Sequence, residues 1–190
     1  MKPLSARNLR RVLNLWPPFL FTGIRVTRLD ADFHHAVVEL RQRPWNRNYV
    51  GTHFGGSLFA MTDPFWMLLV MHVLGRDYVV WDQAGEIRFN KPGRGTVTAR
   101  FYLSPADIDA IRAETADGAK HLVWFDTAVT DAAGDTVASV RKQLYIRRKR
   151  AAIQPAVDGG AAGPGSAAGA STGAEPAPSG KAASSGTPFT

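Results

Sequence analysis

The segment GGSLFAMTDPFWMLLVMHVLG at residues 55–75 is the most informative part of the sequence for the fold. Glycines bound this nearly all-apolar segment, which carries Asp63, Pro64 and His72 within it. It predicts a helix at about 56–74, roughly 27 Å long at a rise of about 1.5 Å per residue. Because such a helix is apolar all round, other structure must wrap it. The polar residues leave it short of a clean membrane span, so we expect none.

Strand-like segments lie on both sides of this helix. Two precede it, at 23–29 and 33–41, and have the length and turn chemistry of a hairpin. Four follow it, at 78–89, 96–103, 121–130 and 136–147. We also expect an N-terminal helix at about 5–16, ended by Pro17-Pro18, and a small helix that starts at Ser104-Pro105. One antiparallel sheet curved around one central helix satisfies this order, which gives an α+β fold.

Polar residues and glycines lead into the central helix at fixed intervals. Asn48, Gly51, Gly55-Gly56 and Asp63 form the pattern N-x-x-G-x-x-F-G-G-x-x-x-x-x-x-D. This pattern resembles the signature of hotdog-fold thioesterases of the phenylacetyl-CoA thioesterase and THEM type. The surrounding sequence, including LRRVLNLWPPF and YVVWDQAGEIRFNKPGRGTV, resembles still more closely the hotdog family called domain of unknown function 4442. The resemblance spans about residues 4–146 and implies the hotdog fold.

The resemblance also implies a site for an acyl thioester at the helix start. The first glycine of the pair, here Gly55, would stabilise the thioester oxyanion through its N–H, and Asn48 would orient a carbonyl or a water. The acid, here Asp63, is contributed across the dimer in the related enzymes and acts as nucleophile or activates water. One departure is Phe54, which stands where those enzymes carry His. Because His53 is one position earlier, its side chain is expected to point elsewhere, and we do not transfer the role to it.

Each of these residues also has a purely structural explanation. The glycines could merely permit a tight turn into the helix, and Asn48 could be a turn-forming residue in a polar loop. Asp63-Pro64 could be an N-cap followed by proline at the first helical position, with 57–62 as a kinked leading segment. We favour a functional Asp63, because a carboxylate within an apolar helix is costly to bury unpaired.

Asp82 is a second candidate carboxylate. It falls near the strand position where some relatives place a Ser or Thr that holds the catalytic water. The competing interpretation follows from alternation, which puts Asp82 with Ala84, Glu86 and Arg88 on one solvated strand face.

These observations favour a hydrolase for acyl-CoA or acyl-carrier thioesters. The acyl chain is expected to lie along the helix near Phe54, Gly56, Phe59 and Trp66, and the protein is expected to form a homodimer or a pair of dimers. The alternative is a non-catalytic acyl-binding module, which the missing His favours. We expect no cofactor and no metal, because the chain has no cysteine and its five histidines lack ligand spacing.

Composition divides the chain at about residue 150. Residues 151–190 are almost entirely Ala, Gly, Pro and Ser, which predicts a disordered tail behind a hotdog domain at 1–150. The net charge of +7 favours anionic partners. The basic run at 147–150 has no accompanying base-stacking motif, so we expect a solvated terminus and no nucleic-acid partner. With no evident signal peptide, a cytoplasmic location is expected.

Overall fold

Two short helices lead into the sheet. In the computed structural model, which describes residues 4–150, the Ser5 hydroxyl caps α1 (Ala6–Leu15) by accepting a hydrogen bond from the Asn8 N–H. A second helix, α2 (Pro17–Thr22), begins at the proline expected only to end the first, because proline fits the first position of a new helix. The expected disordered tail at 151–190 lies outside the described residues.

Six antiparallel strands form one sheet in the order β1-β2-β4-β5-β6-β3. The strands are β1 (Ile24–Leu29), β2 (His35–Arg41), β3 (Tyr78–Phe89), β4 (Thr96–Tyr102), β5 (Lys120–Thr130) and β6 (Thr136–Arg148). The predicted hotdog architecture is therefore confirmed. Because β3 follows the central helix and returns to pair only with β6, it forms one edge of the sheet.

The central helical segment runs from Gly55 to Leu74 but is broken. It consists of α3 (Gly55–Ala60) and α4 (Phe65–Leu74), joined by a turn at 61–64. Proline at 64 fits this break, since it has no N–H to continue the helical ladder. The kinked arrangement is thus observed, but without the cap proposed with it, because no side chain caps the start of α4.

Length and composition alone would let the segment at 55–74 cross a membrane, with a mean hydropathy of 1.4. Half of it is buried within the fold. It is the core helix around which the sheet curves, which explains its apolar character.

The core lies between α4 and the inner face of the sheet. Trp66 stacks on Phe125 of β5 with ring centroids 4.5 Å apart, and Phe65 packs on Phe101 of β4 at 5.1 Å. The Trp66 indole N–H donates a buried hydrogen bond of 2.8 Å to the Thr127 hydroxyl. A further helix, α5 (Pro105–Glu114), starts at the predicted Ser104 cap and contributes Ile108 and Ile111 to the core.

A bulge in β3 corrects the predicted strand face. Asp82 pairs with Leu144, whereas Ala84 pairs with Gln143, so the register shifts between them. Paired residues of antiparallel strands share a face. Asp82 therefore faces the core side with Leu144, while Ala84, Glu86 and Arg88 face outward. The simple alternation was wrong because an extra residue reverses the phase of a strand.

Candidate functional site

The loop before α3 closes over a cavity of about 420 Å³. Gly55, Asn48 and His53 line it, together with Phe89 and the turn that follows β3. The Asn48 side chain forms its hydrogen bonds within this loop. Its Oδ1 accepts from the Thr52 N–H at 2.9 Å, and its Nδ2 donates to the Thr52 hydroxyl at 2.8 Å. The same amide also donates to the His53 carbonyl at 3.2 Å. Asn48 therefore shapes the cavity wall through the loop.

His53 is buried beside the turn between β3 and β4. Its Nε2 lies 2.9 Å from the Gly95 carbonyl oxygen, and its backbone N–H donates to the Gly93 carbonyl. Its Nδ1 is buried with no hydrogen-bond partner within residues 4–150. Burial lowers the pKa of this imidazole, so the neutral form is favoured. The geometry assigns His53 to the wall of the cavity.

Both glycines at the start of α3 lie under aromatic rings, which would have to move to admit a side chain. A Cβ on Gly56 would lie 2.3 Å from the ring of Phe54, and a Cβ on Gly55 would lie 2.8 Å from the tip of the Phe89 ring. Phe54 precedes the helix in extended conformation and is 58% exposed. Its ring covers Gly56 and leaves the Gly55 end of the helix facing the cavity.

The two predicted carboxylates meet at a buried lysine. Lys142 of β6 is 4% exposed, and its ammonium group donates to Asp63 Oδ1 at 2.6 Å. The same nitrogen lies 3.7 Å from Asp82 Oδ2 and 5.2 Å from the centroid of the Phe59 ring. Gly85 makes room for this arrangement, because a Cβ there would lie 2.7 Å from Phe59 and 3.2 Å from Lys142. We call Asp63, Asp82 and Lys142 the carboxylate–lysine cluster.

The two carboxylates of the cluster have different surroundings. The Asp63 side chain is 55% exposed, whereas that of Asp82 is 23% exposed. Asp82 Oδ1 is buried and has no hydrogen-bond partner in the part of the chain that the structure describes. Burial raises the pKa of Asp82 above its usual range, Lys142 opposes this rise, and the negative charge of Asp63 adds to it.

Asp63 also borders a second cavity, of about 240 Å³, on the α2 side of the break. Gly56 and Phe59 line this cavity with it, and Trp16 and Phe19 complete its apolar wall. Trp66, predicted to contact the acyl chain, instead lies in the core against Phe125. The structure therefore brings Gly56, Phe59, Asp63 and Asp82 together.

Gly55 and Asn48 belong to the other cavity. Asp63 of the same chain borders the second cavity and not this one. Within residues 4–150 no group of three His, Asp or Glu side chains is arranged to hold a metal ion.

Comparison with known proteins assigns the sequence to a family. The sequence profile described as domain of unknown function (DUF4442) matches residues 6–146. The chain belongs to this family. A search among curated proteins finds no match to it.

Solved structures resemble the DUF4442 chain in fold. A protein of unknown function from Pseudomonas aeruginosa, described as a probable thioesterase, is 19% identical with a TM-score of 0.67, over 77% of this chain and 97% of its own. A thioesterase from Haemophilus influenzae is 14% identical with a TM-score of 0.56, over 77% and 93%. The PaaI protein of the E. coli phenylacetic acid degradation operon is 18% identical with a TM-score of 0.52, over 75% and 91%. At these identities the likeness establishes the hotdog fold.

Lys142 is the site residue that the sequence interpretation of this DUF4442 protein missed. A signal was present, because Val140, Leu144 and Ile146 alternate inward along β6 and Lys142 falls in the same phase. A lysine at an apolar position of a strand needs an acidic partner nearby. The sequence gives no way to tell which acid that is.

Proposed function

We propose that this protein is a soluble, cytoplasmic thioesterase that hydrolyses acyl-CoA or acyl-carrier thioesters as a homodimer. The observation that carries the proposal is the carboxylate–lysine cluster at the break in an apolar central helix, beside a glycine-led helix start that opens into a cavity. A carboxylate that can take a proton from water and an N–H that can bind an oxyanion are the two groups that thioester hydrolysis requires.

The edge strand supports a site shared by two chains. Phe89, at the end of β3, borders the Gly55 cavity, whereas Asp82, nearer its start, belongs to the cluster. If two copies pair antiparallel about a two-fold axis between Gly85 and Glu86 of β3, Asp82 of one strand lies opposite Phe89 of the other. This would bring the carboxylate–lysine cluster of one subunit, with its Asp63, toward the Gly55 cavity of the partner.

In this mechanism the thioester carbonyl lies over the start of α3. The Gly55 N–H, which has no helical acceptor at that position, donates to the carbonyl oxygen as negative charge develops there. The partner's Asp63 removes a proton from a water molecule that attacks the carbonyl carbon. The tetrahedral intermediate then collapses to the carboxylic acid and expels the thiolate, which takes up a proton.

Replacement of Asp63 by Asn tests the assignment. Free-thiol release would be measured with acyl-CoAs from acetyl to palmitoyl and with phenylacetyl-CoA. We expect Asp63→Asn to abolish turnover, because the amide cannot accept the proton from water. Circular dichroism checks that the fold is retained, since Lys142 keeps a hydrogen-bond acceptor at 63 but loses the carboxylate charge. Asp109→Asn, at an exposed position of α5, is the control for loss of one carboxylate. Full activity in Asp63→Asn would contradict the proposal.

A specific observation favours a second candidate, a non-catalytic acyl-binding module. Phe54 stands in place of the histidine of the related enzymes, and the Asn48 side chain already forms hydrogen bonds with Thr52 within the loop. This candidate predicts that wild-type protein retains a bound acyl thioester after purification and releases no thiol. Mass spectrometry of denatured protein, run beside the thiol assay, distinguishes the two functions.

A further inference from the structure

The environment of Lys142 is unusual for a lysine. Its side chain is 4% exposed on the inner face of β6, where its neighbours in the same phase are Val140 and Leu144. An isolated ammonium group is very costly to remove from water, so it needs compensating negative charge. Asp63 supplies a hydrogen bond of 2.6 Å, and Asp82 lies within 3.7 Å of the same nitrogen.

The Lys142 ammonium group therefore forms ion pairs with two carboxylates. Without it, Asp63 and Asp82 would face each other with partial burial and like charge, an arrangement in which one carboxyl group tends to hold a proton. Burial, Lys142 and Asp63 are the influences that act on the ionisation of Asp82. The packing surfaces around the ammonium are otherwise apolar, with the ring of Phe59 on one side and Phe125 paired with Lys142 across the sheet.

We propose that Lys142 is a positioning residue of the site, whose ammonium group anchors the Asp63 carboxylate at the helix break and holds it beside Asp82. This inference rests on the proposed function for its catalytic meaning. The three side chains come from three separate elements, so the cluster also ties the turn at 61–64 to β3 and β6. Asp63 would otherwise project, half-exposed, from a turn with no other anchor for its carboxylate that the described residues provide.

The direct test measures the titration of the Asp63 and Asp82 carboxyl groups and does not depend on enzymatic activity. Aspartate labelled with ¹³C at Cγ is titrated by NMR, and the two signals are assigned by their loss in Asp63→Asn and Asp82→Asn. In Lys142→Met we expect the Asp82 signal to titrate about one pH unit or more above its wild-type midpoint, because a cation 3.7 Å from the Asp82 carboxylate is removed. Lys142→Arg, which keeps the charge, is expected to restore most of the difference.

Arg141 provides the matched control. It lies one residue away on the outer face of the same strand and also contacts two acids, Asp126 at 3.2 Å and Glu86 at 3.8 Å. Arg141→Met should leave the Asp82 titration unchanged. An unshifted Asp82 signal in Lys142→Met, or an equal shift in Arg141→Met, would overturn the inference.

Kinetics then connect the cluster to catalysis. In Lys142→Met we expect the acid limb of the pH–rate profile to move to higher pH, so that kcat measured on that limb falls about tenfold for a shift of one unit while the plateau is unchanged. Adding Asp82→Asn to Lys142→Met removes the repelling carboxylate and should move the limb part of the way back. A loss that is equal at every pH would indicate a merely structural lysine. Wild-type protein that hydrolyses no thioester would refute the proposed function, and the NMR titration would still decide the role of Lys142.

Discussion

At the scale of single residues, the candidate site is built from charged side chains that interrupt apolar segments. Asp63 interrupts an apolar helix, and Lys142 interrupts an apolar strand face; in the fold each is the other's nearest charged partner. Glycine at 85 leaves the space that this pair needs, because a side chain there would displace Phe59 and Lys142. Partners that are 79 residues apart in sequence become neighbours only through the sheet.

The Gly55 N–H can be tested with a matched pair of substitutions. Proline at 55 removes the N–H at the first helical position, where proline is tolerated, and the extended Phe54 before it is compatible with proline. Alanine adds a similar Cβ contact with the Phe89 ring tip but keeps the N–H. We expect Gly55→Pro to lose about 10²–10³-fold in kcat, the usual effect of losing one oxyanion donor.

Gly55→Ala should lose far less activity than Gly55→Pro, since only the aromatic ring must move. Circular dichroism and thermal unfolding of both variants establish that the helix start is intact. Equal losses in the two variants would show that the Cβ, rather than the N–H, is responsible.

At the scale of elements, the break between α3 and α4 positions the site. Asp63 lies in the turn at 61–64 and contacts Lys142 there, while α4 is held against the sheet by aromatic packing. The bulge in β3 has the complementary effect, since it turns Asp82 toward the same lysine. Two irregularities in otherwise regular elements therefore produce the cluster.

The anchoring of α4 predicts a stability effect at β5. Thr127→Val keeps the side-chain shape but leaves the buried Trp66 indole N–H without its acceptor. We expect the free energy of unfolding to fall by about 1–3 kcal/mol, the usual cost of an unsatisfied buried donor. Chemical denaturation measures this, with Thr96→Val at an exposed strand position as the control. A loss no larger than that of the control would mean that the hydrogen bond contributes little to docking the helix.

At the scale of the whole molecule, the separation of Gly55 from Asp63 has a consequence for assembly. A site shared across the dimer predicts that Asp63→Asn and Gly55→Pro complement each other, because a heterodimer contains one site with both groups intact. Co-expression with two different affinity tags allows the heterodimer to be purified. We expect it to have about half the activity of the wild-type dimer, which has two symmetric sites.

Each homodimeric variant serves as the control and should be inactive or nearly so. Light scattering should give twice the chain mass of 20.6 kDa for every species. An inactive heterodimer of correct mass would indicate that both groups act within one chain.

The hotdog fold could be predicted from the amino-acid sequence, because an apolar helix between alternating strands has few ways to bury all its sides. The sequence also singled out Asp63 and Gly55, whose spacing belongs to one continuous segment. The face of Asp82 and the partner of Asp63 could be read only from the folded chain. A one-residue bulge leaves no reliable trace in sequence alternation, and a contact between a helix break and the last strand depends on how the sheet curves. Hydrophobic periodicity predicts helices and strands, because both are local in sequence. The charges around a carboxylate come from residues distant in sequence that packing brings together.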